Sequence, residues 1–388
     1  MRRLNATVSP LLLSTIDELV EKEAISHDKL VQAVTELSRL FTKERIAIGQ
    51  PYLEEHDLGA AYLQYFLPVN FSKIQVLLDE MPAPDVAKQF SVLDVGSGPG
   101  TGALAVLDWW HQRQHAGALS VIAVDKASAA LSQAEHLWNQ YTDAAAITTA
   151  RLQTCEADVE RGLWLEEVRP QAPVDLIILA NCLNEIFSGA KDPIAARSGL
   201  VGKLFELLAP HGTLMIVEPA LRETSRALHQ VRDRLLQEKR CTVYSPCLHE
   251  QNCPALVNPD DWCHEERAWK QPASIQEIDE QVGFIKDALK FSYLLLRKDG
   301  KTIVERRPDV YRVVSELREL KGDTRAWVCN ELGRSEIGRL DRAKSESNEA
   351  WEECKRGTIV KVEGLKRKEG ATLARIPEEA TVEIVRSV

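Results

Sequence analysis

The chain has 388 residues, of which 44% are hydrophobic and 27% are charged, a composition that is ordinary for a soluble globular protein of two or three domains. No apolar run reaches the roughly 18 residues of a membrane span, so we expect no membrane partner. Eight cysteines in a chain of this length do not suggest a disulfide framework. In a reducing compartment, clustered cysteines more often bind metal or carry redox chemistry.

The net charge of −10 is unevenly distributed. Residues 301–388 hold 19 Lys and Arg against 17 Asp and Glu, a balance of +2, so residues 1–300 carry −12. The whole chain is therefore not an evident polyanion binder, and we expect no DNA partner. RNA binding would need local basic patches, for which the sequence offers Arg306-Arg307 and Lys366-Arg367-Lys368, although either stretch could equally be a solvated loop.

Residues 1–85 are predicted to form a helical extension. The segments D-E-L-V-E-K-E-A and K-L-V-Q-A-V-T-E-L-S-R-L-F carry apolar residues at i, i+3, i+4 and i+7, the spacing of one buried helix face. The N-terminus lacks both a long apolar core and a clear cleavage site, and acidic residues follow early, so we expect a cytoplasmic protein.

Residues 86–299 alternate between strand-like and helix-like segments, which predicts a doubly wound parallel sheet. The strand candidates are Q-F-S-V-L-D-V-G, L-S-V-I-A-V-D, the weaker I-T-T-A-R-L-Q-T, P-V-D-L-I-I-L-A-N, G-T-L-M-I-V-E-P, C-T-V-Y-S-P and K-F-S-Y-L-L-L-R-K. Residues 247–289 lie between the last two candidates. They are predicted to be an insertion at the sheet edge, with a helix around I-Q-E-I-D-E-Q-V.

Beyond residue 299 the strand candidates become short and alternating. They are K-T-I-V-E-R-R, R-A-W-V-C-N, G-T-I-V-K-V-E-G and A-T-V-E-I-V-R. Residues 300–388 are therefore predicted to form a small β-rich module.

The run V-L-D-V-G-S-G-P-G-T-G places Asp94, Gly96, Gly98 and Gly100 at the end of the first predicted strand. Glycines let the backbone turn tightly and approach a ligand, and the following helix offers unpaired N–H groups. A dinucleotide site would show G-x-G-x-x-G, but here the third glycine comes one place early. The Asp94 carboxylate would repel a pyrophosphate, whereas it suits the amino group of S-adenosylmethionine.

Two further acidic residues extend this pattern. Asp125 closes the second strand, 29 residues after Gly96, where an acid can accept hydrogen bonds from both ribose hydroxyls. Asp158 follows the third strand and could meet the adenine amino group. The loop and the two acids in this order predict a class I S-adenosylmethionine-dependent methyltransferase fold. The alternative is a degenerate Rossmann domain that binds nothing.

The segment A-N-C-L-N-E-I ends the fourth strand, where class I enzymes place catalytic residues. Asn181, Asn184 and Glu185 are candidates for the pocket, and Asn181 is also a candidate for cofactor binding, but the N-P-P-Y type clamp of amino-methylating enzymes is missing. Cys182 could attack a pyrimidine C6, although packing in the core is the favoured interpretation. Glu218 ends the next strand and could face the same pocket.

Cys247, Cys253 and Cys263 lie in one Pro- and Asn-rich run, S-P-C-L-H-E-Q-N-C-P-A-L-V-N-P-D-D-W-C-H, which predicts irregular backbone. With the distant Cys329, four thiolates suit either tetrahedral zinc or an iron–sulfur cluster. The gaps are five, nine and 65 residues, without the C-x2-C pairs of structural zinc, which favours the wider spacing that a cluster accepts.

Several alternatives remain open at this site from spacing alone. Cys329 is the least defined ligand, and His249 and His264 are alternative ligands for which supporting or surface roles are favoured. Zinc is the alternative metal. Four unrelated buried cysteines are the alternative to any metal site.

Together these motifs resemble the methyltransferase-like family of small-ribosomal-subunit assembly factors, which is known from mitochondria and has bacterial members. The resemblance covers roughly residues 45–345 and rests on V-L-D-V-G-S-G-P-G-T, I-V-E-P, S-P-C-L-H-E-Q-N-C-P, D-W-C-H and W-V-C-N-E-L-G-R. It implies that Cys247, Cys253, Cys263 and Cys329 ligate a 4Fe–4S cluster. It also implies that the protein binds small-subunit rRNA during ribosome maturation.

Two functions are compatible with this pattern. In the first, the methyltransferase fold and the cluster form a platform that docks on the small ribosomal subunit. In the second, the protein is an active methyltransferase of rRNA or another substrate. Methyl transfer depends mainly on in-line positioning of donor and acceptor, so missing acid–base residues do not exclude activity, but the missing clamp slightly favours the platform.

Overall fold

The computed structural model describes residues 7–22, 24–43, 53, 55–85, 88–284, 287–368 and 371–387. The chain divides into two compact units. The N-terminal unit comprises Arg2–Glu218 and Ala268–Leu289, and the C-terminal unit comprises Pro219–Arg267 and Lys290–Val388. The division expected from the sequence, into 1–85, 86–299 and 300–388, stays a prediction.

The described residues contain helices of three kinds. The α-helices are α1 (Pro10–Lys22), α2 (His27–Thr42), α3 (His56–Ala61), α4 (Leu67–Glu80), α5 (Thr101–Gln112), α6 (Ser128–Ala144), α7 (Trp164–Val168), α8 (Pro193–Leu207), α9 (Arg222–Gln237) and α10 (Ala273–Val282). A π-helical turn, Tyr62–Phe66, joins α3 to α4. Short 3-10 helices span Arg169–Gln171, Pro254–Leu256, Asp341–Ala343 and Glu346–Glu353. None of the helices in these ranges has the length and apolar character needed to cross a membrane.

The strands in the described residues range in length from two to twelve residues. They are β1 (Phe90–Val95), β2 (Leu119–Asp125), β3 (Ala150–Glu156), β4 (Val174–Ala180), β5 (Leu208–Pro219), β6 (Thr242–Ser245), β7 (Glu265–Ala268), β8 (Ala288–Arg297), β9 (Val310–Val313), β10 (Arg318–Leu320), β11 (Asp323–Asn330), β12 (Gly333–Leu340), β13 (Ile359–Glu363), β14 (Lys366–Arg367), β15 (Leu373–Arg375) and β16 (Thr381–Arg386).

The predicted helical extension is confirmed by α1 to α4. Leu12 and Ile16 are buried on one face of α1, and Val34 and Leu37 on one face of α2. The Ser26 hydroxyl accepts a hydrogen bond from a backbone amide in the first turn of α2, which satisfies one of the unpaired donors of a helix start.

The parallel sheet of the N-terminal unit has the strand order β3-β2-β1-β4-β5. Each neighbouring pair within this order is parallel. Strands β1, β2 and β4 are buried along nearly their whole length, as expected for strands covered on both faces. The order reverses between β1 and β4, which opens a crevice beyond the carboxyl ends of these strands. The unit therefore has the predicted Rossmann-like class I methyltransferase sheet.

The C-terminal unit carries a second sheet with the order β14-β15-β12-β11-β9-β13-β16, and β10 pairs with β11. Most of its pairs are antiparallel, but β12 and β15 are parallel. Val328, Ile337, Trp351 and Val360 are fully buried in the hydrophobic core that this sheet covers. These residues confirm the β-rich character predicted for the C-terminal part of the chain.

One strand predicted for this region is wrong. The run K-T-I-V-E-R-R, residues 301–307, is irregular. Its alternating apolar and polar residues resemble a strand, but the segment makes isolated hydrogen bonds to β6. Ile303 N donates to Tyr244 O at 3.0 Å, and the Arg306 guanidinium donates to Val243 O at 2.8 Å. The segment therefore runs beside β6 without forming a ladder.

Candidate cofactor site and cysteine cavity

The glycine loop follows β1 directly and leads into α5. Gly96, Gly98 and Gly100 have φ angles of +68°, +52° and +81°, in the left-handed region that favours glycine. A Cβ on Gly96 would lie 2.6 Å from Cys182 Cβ, and one on Gly100 would lie 2.8 Å from Ala134 Cβ. Both the backbone conformation and the close packing therefore require glycine.

Asp94 lies beneath the loop and is 1% exposed. Its carboxylate accepts a hydrogen bond from Ala103 N at 2.9 Å, and a Cβ on Gly102 would lie only 2.5 Å from it. Burial raises the pKa of Asp94 to about 7. The carboxyl group thus contacts the backbone at the start of α5, and its predicted contact with a cofactor amino group stays a prediction.

Asp125, at the end of β2, holds the loop from the other side. Its carboxylate accepts from Gly98 N at 2.8 Å and from Ala127 N at 2.9 Å. Asp158 follows β3, and its carboxylate accepts from Glu160 N at 3.0 Å and from Arg161 Nε at 3.1 Å. Asp125 is therefore tied directly to the glycine loop, whereas these hydrogen bonds of Asp158 stay within its own loop.

Tyr62, in the π-helical turn, lies near this loop. The sequence did not predict it as a residue of the site. Burial is the main cause of the raised pKa of Tyr62. The side chains of Thr101 and Asn70 lower the pKa of its hydroxyl, and the carboxylates of Glu185 and Asp125 raise it. No residue spacing marks a π-helical turn, so the sequence offered no signal for this contact. Such turns are frequent at functional sites.

The loop after β4 is held in a fixed conformation. Asn181 has a φ of +58°, and its N–H donates to Val217 O at 2.7 Å. The Asn184 amide group donates to the Glu218 carboxylate, and Asn184 N donates to Glu218 Oε1 at 3.2 Å. The Arg197 guanidinium donates to Asn184 O at 2.7 Å. Asn184 is thus engaged by neighbouring protein groups.

Glu185 belongs to the same loop and acts electrostatically on both Tyr62 and Glu218. Burial raises the pKa of Glu218 to about 8, although the hydrogen bonds from Asn184 oppose the shift. The Cys182 thiol donates to Val95 O at 3.1 Å, and burial raises its pKa well above the usual range. Cys182 is therefore a packed neutral thiol, as the favoured interpretation of the sequence had it.

Four cysteines line one cavity of the C-terminal unit: Cys247, Cys253, Cys263 and Cys329. These are the four predicted metal ligands, and 65 residues separate the last from its nearest partner in the sequence. His249 lines the same cavity, and its Nε2 lies 3.6 Å from Cys329 Sγ.

Cys329 reaches the cavity because it lies near the end of β11. In the sheet it stands opposite Arg312 of β9 and Arg334 of β12. Burial is the main cause of the raised pKa of the Cys329 thiol. The nearby thiol groups of Cys247, Cys263 and Cys253 raise this pKa further. The strand register thus supplies the partner that loop spacing could not assign.

Helix α9 shapes the irregular loop that holds the other three cysteines. Arg226 donates to the carbonyl oxygens of Ala255, Leu256, Asn258 and Asp261 at 2.7–3.1 Å. About one turn further along the same face, the His229 ring hydrogen-bonds to Cys263 O at 3.2 Å. Buried carbonyl oxygens need such partners when no ladder or helix provides them. Side chains of α9 therefore replace secondary structure as the support of the loop.

Arg232 and Asp233 continue this support. Arg232 donates to His249 O at 2.7 Å and to Gln251 O at 2.8 Å, and Asp233 accepts from Cys253 N at 2.8 Å. Among the residues that the structure describes, no three His, Cys, Asp or Glu side chains are arranged to hold a single metal ion.

The two basic patches considered for RNA binding are partly neutralised. The ion pairs are Arg306–Glu250, Arg307–Asp309 and Lys366–Glu379. Pairing with carboxylates lowers the positive potential that a phosphate backbone would meet at these positions. RNA binding through either patch stays a prediction.

The solved structures to which this chain is similar include several methyltransferases. The carbon methyltransferase CurJ is 16% identical, with 75% of this chain and 72% of that chain covered and a TM-score of 0.35. An S-adenosylmethionine-dependent methyltransferase of Leishmania major is 12% identical, with coverages of 73% and 91% and a TM-score of 0.36. The sugar N-methyltransferase KedS8 of Streptoalloteichus sp. ATCC 53650 is 17% identical, with coverages of 42% and 53% and a TM-score of 0.28, so the match spans about half of that enzyme.

No curated protein matches the chain significantly. A family model does match, over residues 57–358, and it is described as mitochondrial small ribosomal subunit Rsm22. The match includes the glycine loop and all four cysteines of the cavity, and it agrees with the resemblance inferred from the motifs. The chain therefore belongs to the Rsm22 family of the mitochondrial small ribosomal subunit.

Proposed function

We propose that the protein is an S-adenosylmethionine-binding, iron–sulfur-containing factor that acts on the small ribosomal subunit and its rRNA, in assembly or in translation. The family description supports the partner. The observation that carries the proposal is the single cavity lined by Cys247, Cys253, Cys263 and Cys329.

The donor set suits a cluster better than a single zinc ion. Four thiolates around one zinc ion at about 2.3 Å would place their sulfur atoms about 3.8 Å apart. In the described ranges no three His, Cys, Asp or Glu side chains form a group that could hold a metal ion, so the preference for a cluster rests on the sequence spacing of the cysteines. A 4Fe–4S cluster holds its four thiolates further apart, because each binds a different iron. The cluster would add the iron chemistry, while the chain supplies the thiolates and their fixed positions.

The glycine loop supports the second cofactor. Three glycines with positive φ leave the backbone accessible at the carboxyl end of β1, next to the crevice at which the strand order reverses. Asp125 lies at the end of the adjacent strand, where ribose hydroxyls would be recognised. Tyr62 adds a hydroxyl group to the same region.

The contacts of Asn184 favour a binding platform over an active methyltransferase. The amide group of Asn184 donates to Glu218, and its backbone carbonyl accepts from Arg197. These bonds reduce its capacity to hold a planar acceptor amine in line with a methyl donor. Methyl transfer to rRNA is the second candidate function, which the following comparison tests.

The test compares variants of the two sites. Cys247→Ser is expected to lose iron and to weaken association with the small subunit at least tenfold, as measured by co-sedimentation. Asp125→Ala is expected to lose S-adenosylmethionine binding in calorimetry while it keeps its iron. Cys241→Ser is the matched control, because Cys241 is partly exposed in the same unit and does not line the cavity.

Two results would change the proposal. If Cys247→Ser retains full iron and full association, the cavity is not the metal site. If Asp125→Ala removes a defined methyl mark from rRNA, the protein is an active methyltransferase.

A further inference from the structure

The His249 ring is buried in the cysteine cavity beside one of the four thiols. His249 lies two residues after Cys247 in the irregular loop, and only 3% of its surface is exposed. Its Nε2 atom lies 3.6 Å from Cys329 Sγ, which is within hydrogen-bonding distance because sulfur is a larger acceptor than oxygen. His249 therefore brings a nitrogen atom of the cysteine loop to the cysteine that β11 contributes.

The position of this ring is fixed by contacts that do not involve the sulfur atom. The backbone carbonyl of His249 accepts a hydrogen bond from the Arg232 guanidinium at 2.7 Å. The preceding residue, Leu248, is buried in a small hydrophobic core with Val310 of β9 and Ile359 of β13. Strand β9 also pairs with β11. The loop is thus packed on the same sheet that carries the sulfur atom, so the contact between ring and sulfur is held from both sides.

The other two histidines that line the cavity bind oxygen atoms instead. The His229 ring hydrogen-bonds to Cys263 O at 3.2 Å, and His264 Nε2 lies 3.0 Å from Glu266 Oε1. Carbonyl and ionised carboxylate oxygens only accept, so the N–H groups of these two rings are engaged. A cysteine sulfur bound to iron has no proton to donate either, so the hydrogen in the sulfur contact of His249 must come from Nε2.

We propose that His249 is a positioning residue of the sulfur-bound centre, whose Nε2–H group donates a hydrogen bond to the Cys329 sulfur. This inference rests on the proposed iron–sulfur cluster, in which the four cysteines already provide one ligand for each iron. Hydrogen bonds to sulfur contribute to the reduction potential of a cluster, and they orient the ligand. Reduction adds negative charge, which the N–H dipole stabilises, so His249 raises the potential and slows the loss of iron.

Two substitutions in the full-length protein, prepared without oxygen, separate the donor from the bulk of the ring. His249→Gln keeps an N–H group near the position of Nε2, whereas His249→Leu has a side chain of similar size and no donor. The measurements are iron and sulfide content, the midpoint potential in a spectroelectrochemical titration, and the rate of iron loss to a chelator. Gln251→Ala is the control, because Gln251 lies in the same loop with its side chain exposed.

The midpoint potential is expected to fall in His249→Leu by about tenfold in the one-electron equilibrium constant, or about 59 mV. His249→Gln should stay close to the wild type, and Gln251→Ala should match it. Iron loss should be fastest in His249→Leu. Pulsed electron paramagnetic resonance of the reduced wild type, prepared with isotope-labelled histidine, should show a weakly coupled nitrogen whose signal is lost in both His249 variants.

An unchanged potential and an unchanged rate of iron loss in His249→Leu, with full iron and sulfide, would overturn the role of His249 and leave the proposed cluster in place. A strongly coupled nitrogen, or a loss of iron in His249→Gln as large as in Cys329→Ser, would make His249 a ligand and contradict the proposal as well. If neither variant folds, the wild-type spectrum decides, and the absence of any coupled histidine nitrogen overturns the hydrogen bond. Wild-type protein without iron and sulfide would overturn the proposed function and this inference with it.

Discussion

Gly96 is the position of the glycine loop at which a side chain meets the closest obstacle. Its φ is +68°, and an added Cβ would lie 2.6 Å from Cys182 Cβ. Gly96→Ala is therefore expected to lower the free energy of unfolding by about 2–4 kcal/mol, from backbone strain and overpacking together. It should also weaken S-adenosylmethionine binding at least tenfold. Urea unfolding and calorimetry measure the two effects.

The matched control is Gly199→Ala. Gly199 is exposed within α8, and an added Cβ would meet nothing within 4 Å. This substitution should be neutral or raise the free energy of unfolding by up to about 1 kcal/mol. Equal effects of the two substitutions would contradict the packing of Gly96 against Cys182.

The raised pKa of Glu218 predicts that the free energy of unfolding depends on pH. Its pKa is raised from 4.5 to about 8, mainly by burial, so the folded protein binds more protons than the unfolded chain between these values. This contribution to stability is fully present below pH 4.5 and is lost as the pH rises toward 8, with a slope of up to about 1.4 kcal/mol per pH unit. Glu218→Gln should remove this slope. Urea unfolding of both proteins from pH 5 to 8 measures it.

Glu206→Gln, at an exposed position of α8, is the control and should leave the pH profile of unfolding unchanged. Parallel profiles for the wild type and Glu218→Gln would show that Glu218 does not retain its proton in the folded state.

At the residue scale, the sequence predicted which residues belong to the two candidate sites better than it predicted the contacts that these residues make. Cys247, Cys253, Cys263, Asp94 and Asp125 were recognisable because their chemistry and spacing are unusual, whereas Cys329 was assigned through the family resemblance. The hydrogen bond from Ala103 N to Asp94 and the approach of Tyr62 were not recognisable, because both depend on how the glycine loop and the π-helical turn fold in three dimensions.

Helix α9 is the element on which the cysteine loop depends. The loop between β6 and β7 has little regular structure, so its carbonyl oxygens rely on side chains of this helix. Arg226→Met would leave four carbonyl oxygens without a donor. We expect a loss of about 2–4 kcal/mol in the free energy of unfolding, since each unmatched buried group costs about 1–3 kcal/mol and water will reach some of them.

Amide hydrogen exchange measures where in the chain this effect occurs. Protection of the backbone amides from exchange should fall in residues 254–261 and persist in β11. The control is Arg234→Met, because Arg234 is exposed on the same helix and its ion pair with Glu238 contributes less than about 1 kcal/mol. Unchanged protection of the loop in Arg226→Met would show that α9 does not support it.

Elements with long apolar runs were predicted well. β1, β2, β4 and β5 are buried on both faces, and such strands leave a continuous apolar signature. Residues 301–307 were predicted wrongly because apolar–polar alternation over a few residues does not distinguish a strand from an extended loop. The strands β7, β9, β10, β12, β14 and β15 were not predicted. All of them except β12 have two to four residues, too few for a reliable pattern, and β12 contains two glycines and two arginines.

At the level of the whole molecule, each compact unit contains one candidate site. The residues proposed for the methyl-donor cofactor all fall in the N-terminal unit, and the four cysteines all fall in the C-terminal unit. Strand order and the family were accessible from motifs. The family resemblance also grouped Cys329 with the other cysteines, which spacing alone could not do, because its position depends on the register of β11 with β9 and β12.

The most direct test of the account is the metal content of anaerobically purified wild-type protein and of Cys329→Ser. The account predicts about four iron and four sulfide per wild-type chain, and a loss of most of both in Cys329→Ser. Wild-type protein that contains zinc or no metal, or a Cys329→Ser variant with unchanged iron and sulfide, would contradict it.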